Sequence, residues 1–136
     1  YARLTFSIAD VSNTDDTFFG FRKVQAPDAI DSYTDVASIG IITAANPAVQ
    51  QICTALNNAA MSETTTTDTL ADGVVTTWEV YVSSAGVATF KIDGAAPSAT
   101  ASFTFDSGDY VTPFMHMLGA GAQGAVTLIS LDHGRQ

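Results

Sequence analysis

The segment from Thr77 to Gly94 constrains the fold of this chain more than any other part of the sequence. Both of its halves carry apolar residues at every second position: Trp78, Val80 and Val82, then Ala88, Phe90 and Ile92. This spacing places the apolar side chains on one face of an extended chain. A short loop with Gly86 between the halves predicts a β-hairpin whose turn uses the left-handed backbone at that glycine. Because the other face is polar, we expect a second sheet to cover the apolar one.

Similar patterns predict strands along most of the chain. The predicted strands are Leu4–Ala9, Phe18–Val24, Val36–Thr43, Met61–Thr69, Ala101–Phe105, Val111–Leu118 and Ala125–Asp132, in addition to the hairpin Val75–Ile92. In the last of them, strict alternation puts Val126, Leu128 and Ser130 on one face and Ile129 and Leu131 on the other. The glycine at position 40 weakens its strand or marks a close approach of two chain segments.

One segment stays open between two interpretations. Ala48–Asn57 has apolar residues at helical spacing, yet the β-rich segments around it favour a strand. Either way, some nine or ten short strands with almost no helix predict an all-β fold, an antiparallel two-sheet β-sandwich of the jelly-roll type. We expect one domain over residues 1–136, in which the last strand pairs beside the first.

Composition narrows the classes of function. Fourteen acidic residues face five basic ones, a net charge of −9, and nucleic-acid binding needs clustered Lys and Arg, so we expect no nucleic-acid partner. An anionic membrane surface is disfavoured for the same reason. The sequence has no apolar stretch of about twenty residues, so it predicts no membrane span. No signal peptide is visible either. Cys53 is the single cysteine, which excludes an internal disulfide, and its neighbours predict a buried thiol.

No arrangement of reactive residues predicts catalysis, a cofactor or a metal site. Glycoside hydrolysis needs two carboxyl groups close together, and Glu63 and Glu79, the only glutamates, do not form such a pair in the sequence. His116 is expected on a sheet face and His133 at the C-terminal end, which gives no zinc motif. The aspartates, Asp106 and Asp109 among them, fall in predicted turns, where Asp is favoured for its own hydrogen bonds to the backbone.

Several segments, taken in order, resemble one family. They are Asp16–Lys23, the Thr tract within Met61–Thr69, Trp78–Val82, the Gly turn and strand that end at Asp93-Gly94, Pro113–Met115, and Ser130–Asp132. Together they resemble the concanavalin A-like lectin/laminin-G jelly roll, in the form found in bacteriophage virion proteins. The glucanase branch of this fold carries a Glu-x-Asp-x-x-Glu motif, and here the corresponding strand offers only Glu79, so the resemblance does not imply an enzyme.

The resemblance implies a virion structural protein, located on the capsid surface or a fibre. It would be a capsid decoration (cement) protein that docks on the assembled head, with the major capsid protein or other virion proteins as partners. The alternative is a carbohydrate-binding module of a tail or head fibre or spike that recognises a surface glycan. A homo-oligomer, a trimer by analogy, is also implied. Tyr33, Tyr81 and Tyr110 are the candidate ligand or interface aromatics.

Overall fold

The fold is seen in a computed structural model, which describes residues 1–42, 46–118 and 125–134. Ten β-strands follow one another along the chain: β1 (Ala2–Ile8), β2 (Thr17–Lys23), β3 (Val36–Ile41), β4 (Val49–Ala55), β5 (Ser62–Thr69), β6 (Val75–Val82), β7 (Val87–Ile92), β8 (Phe103–Thr104), β9 (Val111–Met117) and β10 (Val126–His133). Short 3-10 turns at Val11–Asn13 and Ile30–Ser32 are the helical elements of the described ranges. The predicted end of the third strand, Thr43, lies outside the described residues.

The strands form two five-stranded antiparallel sheets. The first has the order β10-β1-β6-β7-β8 and the second the order β5-β4-β3-β2-β9. The two sheets pack face to face as a sandwich, with β1 and β6 against β2, and β6 and β7 against β3. The predicted all-β two-sheet antiparallel sandwich is therefore confirmed, and so is the pairing of the last strand beside the first. The strand order is compatible with a jelly roll.

The hairpin that dominated the sequence is β6 and β7. Trp78 pairs with Ile92 and Val80 with Phe90, and all four side chains are buried between the sheets. Gly86 takes the predicted left-handed conformation, with φ of 81°. The expectation of a wet second face is wrong at Glu79, which is only 8% exposed because it pairs with Arg3 on the neighbouring strand.

The segment with two interpretations, Ala48–Asn57, forms strand β4. β4 pairs with both β3 and β5, so its backbone groups find hydrogen-bond partners on both sides. Its side chains are buried on both faces: Ile52 joins the core between the sheets, whereas Cys53 packs on the outside of the second sheet. The predicted burial of Cys53 is thus confirmed, and burial raises the pKa of its thiol to about 12.

A second, smaller apolar cluster explains why β4 is buried on both sides. Ile30 and Tyr33, from the segment between β2 and β3, cover Phe18 and Cys53 on the outer face of the second sheet. Gly40 marks the close approach that the sequence allowed, since a Cβ there would lie 2.4 Å from the Phe18 ring. The second sheet is therefore covered on two faces along β2, β3 and β4.

Two predicted strands differ in detail from those observed. β8 has two residues, although Phe103 and Phe105 are both buried as their spacing predicts. In β10 the predicted strict alternation is wrong, because the pairing with β1 shifts register at Ile129: Thr5 pairs with Ser130, and Phe6 with Leu128. This β-bulge puts one extra residue in β10 and changes the phase of its faces. Leu131 consequently lies on the same face as Leu128.

Candidate functional site

The first candidate surface is an open apolar edge of the sandwich. Leu128 and Leu131 pair with Phe6 and Leu4 of β1, whose side chains are buried in the core. Directly paired residues of an antiparallel sheet point to the same face, so both leucines face the side on which the second sheet packs. Even so, Leu128 is 52% and Leu131 50% exposed. Core-facing side chains thus reach solvent at this edge.

Strand β9 contributes to the same side of the sandwich. It lies beside β2 at the end of the second sheet, as β10 lies beside β1 at the end of the first, and β1 contacts β2. On β9, Met117 is 39% exposed, and Ile129 at the bulge of β10 is 52% exposed. We call the exposed side chains of Met117, Leu128, Ile129 and Leu131 the β9/β10 edge.

Edge strands usually carry features that prevent pairing with other chains. Three of the four edge strands have one: β5 is Thr-rich with charges at Glu63 and Asp68, β8 is very short, and β9 contains Pro113. β10 runs for eight residues without Lys, Arg or Pro, and its one acidic residue, Asp132, lies next to its last position. Its bulge is its main irregularity, so it is the edge most open to a partner strand.

The second candidate surface is a cluster of charged side chains, which we call the acidic loop cluster. It contains Asp35, Asp106 and Asp109, which each offer a carboxylate oxygen within 4.8 Å of the others, and Lys23. Lys23 Nζ lies 2.5 Å from Asp109 Oδ1 and 3.6 Å from Asp35 Oδ2. The hydrogen bond to Asp109 is the main reason that the pKa of the Lys23 ammonium is raised.

Backbone pairing brings these four residues together from three parts of the chain. Lys23 ends β2, and its N–H donates to the carbonyl of Asp35, the residue before β3. Lys23 also pairs with Val111 of β9, which places it beside the turn that holds Asp106 and Asp109. The next residue, Val24, donates its N–H to the Tyr110 carbonyl. The cluster therefore lies at one end of the second sheet, where β2, β3 and β9 begin or end.

The three predicted aromatics lie in different places. Tyr110, next to Asp109, is 83% exposed. Tyr33 is buried in the outer cluster, with its ring 5.8 Å from Phe114 and under the Arg22 guanidinium.

Tyr81 is half-buried on the outer face of the first sheet. Its ring lies 5.9 Å from that of Tyr1 and 5.4 Å from Lys91 Nζ. Burial, and then the Glu79 carboxylate, raises the pKa of the Tyr81 hydroxyl. Of the three, Tyr110 alone presents a free ring face next to charged groups.

The residues weighed for catalysis do not come together. Glu63 is on β5 in the second sheet and Glu79 on β6 in the first. His116 packs against the Phe18 ring at 6.4 Å, and its buried Nε2 finds no hydrogen-bond partner among the described residues. His133 pairs with Ala2 at the end of β10. None of these four residues belongs to the cation-ligand cluster found in the described part of the chain.

Sequence reasoning did not identify either surface. The β9/β10 edge depends on a bulge and on the sheet order, neither of which leaves a mark in the sequence. A sign of the acidic loop cluster was present in the spacing of Asp106 and Asp109, but Asp35 and Lys23 join them only through the sheet.

The fold defines this chain as an all-β antiparallel sandwich. Comparison with models of protein families, with curated proteins and with solved structures gives no match. Within the described ranges, no helix has the length and apolar character to cross a bilayer. The function must therefore be argued from the surfaces of the molecule itself.

Proposed function

We propose that this chain is a non-enzymatic structural protein of a bacteriophage virion, a capsid decoration protein that docks on the assembled head. The virion class rests on the resemblance of its sequence segments. The observation that supports docking is the β9/β10 edge, where core-facing leucines are half exposed on a strand whose one acidic residue, Asp132, lies near its end.

The edge suggests how docking works. The backbone groups on the outer side of β10, which no strand of the described residues pairs, pair with a strand of the major capsid protein, while Leu128 and Leu131 enter an apolar groove beside it. In this mode of recognition the main chain gives affinity and alternate side chains give specificity. A small central set of apolar anchors is expected to carry most of the binding energy.

Co-sedimentation with empty capsids of the phage that encodes the chain tests this proposal. The wild-type chain should pellet with the capsids, and Leu131→Asp should raise the apparent Kd at least about tenfold, because a carboxylate in an apolar interface costs more than about 1.4 kcal/mol. Val87→Asp is the matched control. Val87 is an exposed aliphatic residue on β7, three strands from β10 in the same sheet, and its variant should bind like the wild type.

Two results would contradict the proposal. A wild-type chain that stays in the supernatant at all capsid concentrations argues against decoration. Equal loss of binding in both variants argues against the β9/β10 edge as the docking surface. The single tryptophan, Trp78, reports whether each variant is folded, and light scattering of the free chain tests the implied trimer.

The alternative, a carbohydrate-binding module of a fibre or spike, is favoured by one observation. Tyr110 is an aromatic ring at 83% exposure beside a group of carboxylates, and sugars stack on such rings while acids bind their hydroxyls. Binding to a glycan array that is lost in Tyr110→Ala but kept in Tyr81→Ala would support this function over decoration.

A further inference from the structure

The acidic loop cluster has an excess of negative charge. Asp35, Asp106 and Asp109 supply three carboxylates, and Lys23 forms ion pairs with two of them, Asp35 and Asp109. The group therefore carries two uncompensated negative charges. Asp35 is 1% and Asp109 9% exposed in their side chains, so water screens the charges of these two carboxylates poorly, whereas Asp106 is exposed. Buried charges of this kind are normally paired or bound to a metal ion.

Two oxygens in the cluster receive no hydrogen bond from any residue that the structure describes. Asp35 Oδ1 accepts the backbone N–H of Asn57 at 2.9 Å, but its Oδ2 is buried and accepts no hydrogen bond. Lys23 Nζ, at 3.6 Å, is beyond hydrogen-bond range of it. Asp109 Oδ2 is likewise buried without a donor, although its Oδ1 holds Lys23. Buried oxygens without a donor are rare in folded proteins, and a bound ion is one way in which they are satisfied.

We propose that the acidic loop cluster binds a hard divalent cation, calcium, through the carboxylates of Asp35, Asp106 and Asp109. Calcium takes oxygen ligands, tolerates irregular geometry and accepts carboxylates in one- or two-oxygen mode. Two positive charges equal the excess that Lys23 leaves. The proposal goes beyond the proposed function and does not depend on it, and it departs from the sequence-based expectation of no metal.

Each residue of the cluster has a distinct part in this site. Asp35 and Asp109 form its buried wall, and exposed Asp106 closes it from the solvent side. Lys23 competes with the cation for the same oxygens, which keeps the affinity in the weak range of calcium sites, with a Kd of about 10⁻⁴ to 10⁻³ M.

The site is tested on the whole chain after a chelator has removed bound metal. Calcium chloride is then added, and binding is followed by calorimetry and stability by thermal unfolding. We expect saturable binding of one ion. At calcium about ten times above its Kd, the unfolding equilibrium constant should fall about tenfold. Sodium chloride of equal ionic strength should not reproduce this change, and magnesium should bind more weakly because it gives up its water reluctantly.

Three variants separate a calcium site from a general charge effect. Asp106→Asn removes an exposed ligand and should weaken calcium binding at least about tenfold. Asp132→Asn, on β10 and outside the cluster, makes the same change in net charge and should leave binding unchanged. Lys23→Met removes the ammonium that competes with the cation, so it should tighten calcium binding severalfold. Without calcium the variant should be less stable than the wild type, because the carboxylates lose their cation, and added calcium should restore its stability.

The proposal is overturned if the wild-type chain shows no saturable calcium binding up to about ten times the upper expected Kd. It is also overturned if Asp106→Asn and Asp132→Asn bind calcium alike, or if magnesium binds as tightly as calcium. Should Lys23→Met fail to fold even with calcium, the comparison of the two Asp→Asn variants still decides the question.

Discussion

A hydrogen bond between the two sheets makes the sandwich directly testable. Trp78 Nε1–H, on β6 of the first sheet, donates to Gln50 Oε1, on β4 of the second, at 2.5 Å. Trp78 is fully buried and Gln50 is 1% exposed. Replacing Gln50 with Met keeps the length of the side chain but removes the acceptor, so the indole N–H remains in the core without a partner.

The expected cost follows from this burial. A buried donor left without a partner costs about 1–3 kcal/mol, and since water cannot reach the indole here, we expect about 2–3 kcal/mol. For a domain of this size 1 kcal/mol corresponds to roughly 3–4 °C in Tm. Gln50→Met should therefore lower the Tm by about 6–12 °C. Urea unfolding followed by circular dichroism should show a lower midpoint with an unchanged slope.

A double-mutant cycle with Trp78→Phe isolates the hydrogen bond from the packing of the ring. If the two side chains interact as the structure shows, the coupling free energy should be about 1–2 kcal/mol. The reasoning is refuted if Gln50→Met stays within about 0.5 kcal/mol of the wild type, the range of a neutral surface change. A coupling free energy near zero would likewise refute a direct contact across the sandwich.

Three further predictions concern single positions. The backbone N–H of Ser98 is the main reason that the pKa of the Asp68 carboxyl is lowered in the folded chain. The resulting stability is present above the ordinary pKa of Asp and is lost as the pH falls through the lowered pKa of the folded chain. Asp68→Asn should therefore lower the urea midpoint most near neutral pH and progressively less as the solution is made acidic, and a loss that does not change with pH would contradict this. The thiol of Cys53, buried and with its pKa raised to about 12, should react with a thiol reagent only at the rate of unfolding, so rapid labelling of the native chain would contradict its burial. Gly20→Ala should lower the free energy of unfolding in urea by at least about 2 kcal/mol, because the new Cβ would overlap a backbone oxygen of β3. Gly94→Ala places its Cβ in open space and should cost only the strain of the positive φ, about 1 kcal/mol. Equal costs for the two variants would contradict the close contact at Gly20.

The sequence was most informative where the fold depends on local alternation. The hairpin β6–β7 and the turn at Gly86 follow from side-chain spacing and from the backbone freedom of glycine. The close approach at Gly40 was one of two interpretations that the sequence left open. The strand at Ala48–Asn57 could not be decided from spacing, since its apolar residues serve two different faces. What decided it was pairing with β3 and β5, which is information about neighbours in space.

The two candidate surfaces were out of reach for the same physical reason. Asp35 meets Asp106 only because β2 pairs with β3 on one side and β9 on the other. The phase of Leu131 depends on a bulge opposite β1, and the exposure of Leu128 depends on which strand ends each sheet. Local propensity cannot encode such long-range arrangements, whereas it encodes the strands themselves.

The net charge and the open edge are best understood together. An apolar edge strand such as β10 invites pairing with any exposed strand, including that of another copy. Two copies that each carry a charge of −9 repel one another, over about 10 Å at moderate salt, and this repulsion opposes edge-to-edge association. A neutral or basic partner surface meets no such barrier. The negative charge that argues against a nucleic-acid partner thus also opposes pairing of this edge with a second copy, and this fits the proposed docking of the edge on a different protein.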